Sequence, residues 1–261
     1  MDKTSIIGII LGIISVAVGM VLKGVGAEAL INPAALIIIF VGTAASVLIA
    51  FPASTIKKIP SYFKILFKEE KQEDLGLLIE DFSKMSDQAR REGLLSLETE
   101  IEAWDDDFIS SGLQLTVDGH SPEFIREVML EKIDAMEVRH EEGAAVFAQA
   151  GTYAPTLGVL GAVIGLIAAL GNMNDMELLG EAIAAAFIAT LLGIFSGYVL
   201  WHPFANKLRQ KSKKEIQRKE IIVEGVLSVV NGDSPAAVRD KLSSYLTSKE
   251  IAKIKQVTAD E

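Results

Sequence analysis

Four stretches of this chain contain no Asp, Glu, Lys or Arg: Thr4–Leu22 (19 residues), Ala29–Ile56 (28), Gly143–Asn174 (32) and Ala182–Asn206 (25). At 1.5 Å rise per residue, roughly 20 apolar residues cross the ~30 Å hydrocarbon layer as a helix. A soluble domain with the same 50% apolar content scatters its apolar residues at period two or 3.6, whereas here they are pooled. The fold class expected is therefore an all-α polytopic membrane protein. Its four transmembrane helices form two hairpins, over 5–22 and 33–52, then 148–171 and 181–202. Between the hairpins lies a helical cytoplasmic domain over 53–147, and a helical cytoplasmic tail follows over 203–261.

Lys3 before the first run gives it the look of a signal peptide. The run is too long for a usual apolar core of a signal, lacks a small-x-small cleavage site, and meets a second span within about ten residues, so an uncleaved helix is expected. Orientation follows from basic residues near the span ends, not from the net charge of −10. Lys57, Lys58, Lys64 and Lys68 follow the second run, and Lys207, Arg209, Lys211, Lys213, Lys214, Arg218 and Lys219 follow the fourth. The opposite loops offer only Lys23 among acids. Both termini and the large loop are expected in the cytoplasm, in contact with membrane lipid through these basic runs. With no Cys, the chain has no disulfide, thiol nucleophile or Cys-ligated metal.

In the loop, the aromatic and lysine mixture of Ser61–Lys68 suits a short helix at headgroup level. Leu75, Leu78, Ile79, Phe82 and Met85 recur at helical spacing, and Leu94, Leu97, Ile101 and Trp104 continue at three- and four-residue steps. Ser121, Pro122 and Glu123 make a helix start: a capping hydroxyl, a proline tolerated in the first turn and an acid at the positive dipole end. No breaker follows until Gly143, so this helix is expected to feed the third span.

Small residues dominate the last two spans. Gly158, Gly161 and Gly165 in the third, and Ala182, Ala186, Thr190, Gly193 and Gly197 in the fourth, are spaced by three and four, which permits close helix packing. The first two spans, richer in Ile, Leu and Val, look lipid-facing. No run holds an Asp, Glu, Lys or Arg, the default mark of an intramembrane ion path. A stand-alone pump or transporter is therefore not expected, and if ions cross here a titratable group must be lent by another chain. Pro155 deprives the Gly151 carbonyl of its usual helical donor. Thr190, roughly 12 Å from the outer end of its span, lies near the midplane. Two readings of its hydroxyl stand open: a back-bond to the Ala186 carbonyl, or a polar group offered to an ion path.

Ala89–Glu98 (ARREGLLSLE), Ala150–Gly165 (AGTYAPTLGVLGAVIG), Ala189–Gly193 (ATLLG) and Tyr198–Pro203 (YVLWHP) resemble the MotA family of flagellar stator proteins. The likeness covers essentially the whole chain, including the two-plus-two span layout and the loop length. It implies a homopentamer in the bacterial cytoplasmic membrane, arranged around the membrane helices of a MotB dimer. MotB would supply the missing Asp and anchor the unit to peptidoglycan. Such a unit passes ions inward and turns their free energy into torque on the rotor protein FliG. It implies roles for particular residues too. Pro155 and Pro203 would couple ion passage to movement of the cytoplasmic domain. Thr190 would face the MotB aspartate, with Phe187 one turn away on the same face. Arg90 and Glu98 would meet FliG. This chain adds Arg91, which on a continuous helix lies closer to the face of Glu98 than Arg90 does, unless Gly93 interrupts.

Sodium-type relatives place extra hydroxyls near the carboxylate, because sodium exchanges its hydration shell for several oxygens. Here the corresponding positions are Ala162 and Ala189, so a proton is the expected ion, and Thr at both positions is expected to begin a sodium site. No other cofactor and no resident metal is called for. Gly24-Val-Gly26 with Ala29 opens no strand–turn–helix unit and reads as a loop. Asp105–Asp107 reads as a solvated acidic turn, and His120, His140 and His202 are too scattered to ligate a metal. His202 beside Trp201 fits an interfacial belt. No nucleotide-hydrolysis motif is present, no enzymatic role is expected, and anionic lipid explains the basic runs better than nucleic acid. The alternatives are a sodium-driven stator of the same family, an ExbB- or TolQ-like energy transducer, which typically has three spans and lacks the match at Arg90 to Glu98, and a passive membrane scaffold.

Overall fold

A computed structural model describes residues 2–69, 74–171, 173–246 and 251; the end of the expected cytoplasmic tail lies outside the described residues. All regular elements among them are helical: α1 (Lys3–Leu22), α2 (Pro33–Ala50), α3 (Ile59–Phe67), α4 (Leu75–Glu92), α5 (Glu98–Ala103), α6 (Asp107–Val117), α7 (Pro122–Leu170), α8 (Met176–Val230) and α9 (Pro235–Ser243). Single turns of helix lie at Ala27–Leu30, Ala53–Ile56 and Leu94–Leu97. α1, α2, α7 and α8 are each long and apolar enough to cross a membrane.

Side-chain caps set several boundaries. Asp2, Asn32, Asp74, Asp106 and Asp175 accept hydrogen bonds from the first backbone amides of α1, α2, α4, α6 and α8, groups that have no partner inside a helix. Ser121 Oγ does the same for Phe124 N at 3.3 Å, with Pro122 the first residue of α7. That helix then runs 49 residues without interruption, through Gly143 and Pro155. Two stretches widen to π-helix, Ile37–Val41 in α2 and Ser196–Trp201 in α8. The second precedes Pro203, which has no N–H to offer the Val199 carbonyl.

The chain divides into two compact units, Met1–Glu70 with Arg139–Gln210, and Lys71–Val138 with Lys211–Glu261. In the first unit, α3 packs beside Phe147 of α7 and Phe204 of α8. Leu66 is fully buried beside Phe147, Phe204, Ala205 and Leu208. Phe63, Phe147, Trp201 and Phe204 pack largely edge to face, with Phe63 and Phe147 at 5.1 Å between ring centroids. Trp201, expected in an interfacial belt, instead faces this interior cluster, where its indole N–H is buried without a partner among the described residues. The N-terminus is fastened here too. Asp2 pairs with Lys207 at 2.6 Å, and its backbone N–H donates to the Phe67 carbonyl at 2.9 Å. Arg209 grips Glu141 with two nitrogens, joining α8 to α7.

The second unit has a conventional apolar core: Leu78, Ile79, Phe82 and Met85 of α4 meet Leu97, Ile109, Leu113, Ile125, Met129, Ile221, Ile222, Val226, Val238 and Leu242. The apolar periodicity read in 75–85 is the buried stripe of α4. Two glycines set the spacing: a Cβ on Gly225 would sit 2.6 Å from the Phe82 ring, and one on Gly112 would sit 2.7 Å from the end of Met129. Charged pairs close the edges. Arg239 forks onto Glu80 at 2.8 Å, and Glu224 takes both Arg126 and Lys241 at 2.8 Å. Asp106 is not solvated as its acidic run suggested, for it caps α6 and pairs with Arg218 at 2.6 Å.

Candidate functional site

The glycines of the third span are spent on the fourth. A Cβ on Gly158 would lie 2.8 Å from the Ala189 carbonyl and 2.9 Å from the Gly193 Cα, so the two backbones touch at that point. Gly161 and Gly165 face Ala189 and Ala186 at ordinary or slightly tight distances. Further along α8, a Cβ on Gly197 would strike the Pro155 ring at 2.7 Å and the Gly151 carbonyl at 2.8 Å. Hence the carbonyl that Pro155 leaves without a helical donor is covered by the glycine of the π-helical stretch, and Pro155 is held against the opposite helix. His202 closes the same region, its ring lying where a Cβ of Gly151 would point.

This packing decides which residues of the fourth span look outward. Phe187 is 72% exposed, and Ile194 and Tyr198 are exposed further along. Thr190 sits half-buried at the edge of that face. Its hydroxyl donates to the Ala186 carbonyl at 3.4 Å, a long back-bond that leaves its lone pairs unused. The local back-bond of Thr190 is thus present but long. Phe187 and Thr190, three residues apart, come together on this face. Ala189 does not, since it is 3% exposed and packs against α7 and α2. Ala162, next to Gly161, is half-buried, and Pro203 is exposed beyond the π-helical stretch. Two neighbours in sequence, Ala189 and Thr190, are thereby turned by about 100° to different surroundings.

The loop charges occupy a corner. Gly93, at φ +88°, ends α4 in a backbone region closed to other residues without strain, and the chain turns through Leu94–Leu97 into α5. The continuous helix on which Arg91 would share the face of Glu98 therefore does not exist. Arg90, Arg91 and Glu98 are all exposed. Arg91 reaches back one turn to Asp87 at 2.8 Å, while Arg90 makes no ion pair among the described residues. Leu97 is fully buried, so Glu98 starts α5 directly above the core. Sequence reasoning missed the amide of Gln88, which spans this corner to the Ser96 carbonyl at 2.9 Å. A lone Gln in a polar helix face gives no signal by itself.

Among the described residues no cluster of His, Asp or Glu is arranged to hold a metal. No Asp, Glu, Lys or Arg stands inside the four uncharged runs, so the membrane helices offer packing faces and hydroxyls, Thr152 and Thr156 on α7 and Thr190 on α8 among them.

Residues 6–93 match the model of the motility protein A N-terminal region, and residues 100–221 that of the MotA/TolQ/ExbB proton channel family. The chain is 60% identical over 250 residues to Motility protein A of Bacillus subtilis, covering 96% of this chain and 93% of that one. It is similar to a chain in the structure of the flagellar MotAB stator complex from Bacillus subtilis, with a TM-score of 0.91 over 97% of this chain and 99% of that chain at 60% identity. A chain of the C. jejuni MotAB structure matches with a TM-score of 0.89 at 29% identity, over 95% of this chain and 97% of that one. The chain belongs to the motility protein A branch of the MotA/TolQ/ExbB proton channel family, whose members are multi-pass proteins of the bacterial inner membrane.

Proposed function

We propose that this chain is the channel-forming stator subunit of a bacterial flagellar motor. Several copies, five by family likeness, surround the membrane helices of a MotB-like single-span partner, with both termini and the loop domain in the cytoplasm. The partner contributes the ion-binding carboxylate. The carrying observation is the exposed face of the fourth span, where Thr190 lies beside Phe187 while the four uncharged runs supply no Asp, Glu, Lys or Arg. A carboxylate within the membrane is costly to ionise without a hydrogen-bond donor and water close by.

Protons are the transported ion in this reading. Thr190 alone on this face is a poor cage for sodium, and Ala189 is turned into the packing against α7. Protonation of the partner carboxylate would loosen its hold on the Thr190 face. The resulting shift reaches the cytoplasmic side through Pro155, braced on Gly197, and through Pro203 beyond the π-helical stretch. Torque passes to FliG at Arg90 and Glu98, with Arg91 beside them.

The test is complementation. In cells lacking their own stators, this chain produced with its MotB-like partner should restore swimming, at a speed that follows the proton-motive force and ignores external sodium. Absence of swimming with both proteins assembled in the membrane would overturn the stator reading. Arrest on sodium withdrawal at constant proton-motive force would overturn the proton assignment alone.

A further inference from the structure

We propose that Gln88 is a positioning residue for the rotor-facing charges, fixing Arg90 and Glu98 relative to one another across the chain break at Gly93. The inference rests on the reading of Arg90 and Glu98 as the rotor contact.

The corner carries its charges on two separate elements, the last turn of α4 and the first turn of α5. From inside it is held by apolar anchors: Ala89 and Leu97 are both buried in the core, and Gly93 N donates to the Ala89 carbonyl at 2.9 Å. These fix the depth of the corner but leave its outer edge unbraced, because residues 90–96 turn through a glycine and a single 3-10 turn. Among the described residues the outer edge has one side-chain cross-tie. Gln88 Nε2 donates to the Ser96 carbonyl at 2.9 Å, joining residues eight apart in sequence, in a half-buried position. The same carbonyl receives the Thr99 hydroxyl at 3.2 Å, and Ser96 Oγ donates to the Gly93 carbonyl at 2.7 Å, so the acceptor is itself held in place.

The register of this tie is what gives it a role. Gln88 lies two residues before Arg90, and Ser96 two residues before Glu98. Each charge therefore projects from backbone adjoining one end of the bond. A neutral amide suits the place: it donates to a carbonyl without adding a charge between the two arginines and the glutamate. Arg91 is drawn back to Asp87 at 2.8 Å, which leaves Arg90 as the cation presented with Glu98. Exposed ion pairs contribute little individually, so their effect on a moving partner depends on how well their spacing is held.

The test uses the full chain with its MotB-like partner, reading torque per stator from the step size of a bead-loaded motor and stator number from the step count. Gln88→Met keeps the reach and removes the donor; Gln88→Glu keeps the shape and turns the donor into an acceptor. Both should reduce torque per stator roughly two- to tenfold, the population change expected from one hydrogen bond, with stator number unchanged. In both, the amides of residues 96–98 should exchange with deuterium faster in the purified complex. In an Arg90→Ala/Glu98→Ala background, Gln88→Met should cause no further loss, because the groups it positions are gone. Full torque in Gln88→Met, or the same fold-loss in the background lacking both charges, would overturn the positioning role while leaving the rotor contact in place. Unchanged torque in Arg90→Ala/Glu98→Ala would instead remove the rotor contact, and this inference with it.

Discussion

Replacing Thr190 with Val separates the two roles its hydroxyl could have. Within the chain, that hydroxyl makes one bond, to the Ala186 carbonyl at 3.4 Å. A good hydrogen bond contributes about 0.5–1.5 kcal/mol net, and one this long falls at or below the low end. Val fills the same volume, so folding and assembly should lose no more than about 0.5 kcal/mol. A hydrogen bond from Thr190 to a partner carboxylate is charge-assisted and contributes about 1.5–3 kcal/mol, which converts to roughly a 10- to 100-fold loss in the ion-dependent step. Tethered-cell rotation, with stators counted by fluorescence, reads both quantities. Thr190→Val should leave the stator count unchanged and stop or strongly slow rotation, and Thr190→Ser should keep partial speed. Ala189→Thr provides the contrast. Ala189 is 3% exposed, and its Cβ already lies 3.3 Å from where a Cβ of Gly161 would stand. Two added heavy atoms overpack the helix contact by about 1–3 kcal/mol, so this change should lower the stator count and leave ion dependence untouched. Normal rotation in Thr190→Val, or loss of its assembly, would refute the reasoning.

Two further outcomes concern the second unit. Gly225→Ala places a Cβ 2.6 Å from the fully buried Phe82 ring, so thermal unfolding should show a destabilisation of about 1–3 kcal/mol. Burial raises the Asp106 carboxyl, but the Arg218 bond and the Phe108 and Ile109 amides outweigh it and leave it below the usual range; the Arg239 fork lowers Glu80 likewise, against a smaller effect of burial. Depressed carboxyls contribute stability above their unfolded pKa and lose it as pH falls through the folded value. The unit should therefore keep its stability at neutral pH and lose it on acidification below the ordinary carboxylate range. Asp106→Asn should be less stable at neutral pH and show a flatter acid limb, as measured by denaturation at a series of pH values.

The membrane architecture was legible because hydrocarbon tolerates no charge, and the four uncharged runs of the sequence are the cores of α1, α2, α7 and α8. The helix start at Ser121 and the buried stripe of α4 were legible for equally local reasons: a cap and a period. What escaped reading depends on residues far apart in the chain. Asp106 meets Arg218 across 112 positions, so an acidic triplet that looked solvated turned out to hold a helix end. Asp2 meets Lys207 through folding alone. The π-helical stretches leave no trace in composition, since an apolar run stays apolar when its turn widens. Ala189 was singled out by the resemblance to sodium-type relatives, and helical rotation turns it into the packing rather than onto the face of Phe187. The break at Gly93 was visible as a possibility, but only the backbone angle decides that Arg91 and Glu98 do not share one helix.

The central claim is that the ion site is shared, with the carboxylate supplied by a partner and the hydroxyl face by this chain. Proton flux into liposomes under an imposed potential tests it most directly, using the chain alone, the chain with its MotB-like partner, and the pair carrying Asn in place of the partner's intramembrane Asp. Flux should appear only with the intact pair. Flux through the chain alone would contradict the account, because its spans hold no group able to carry a proton across.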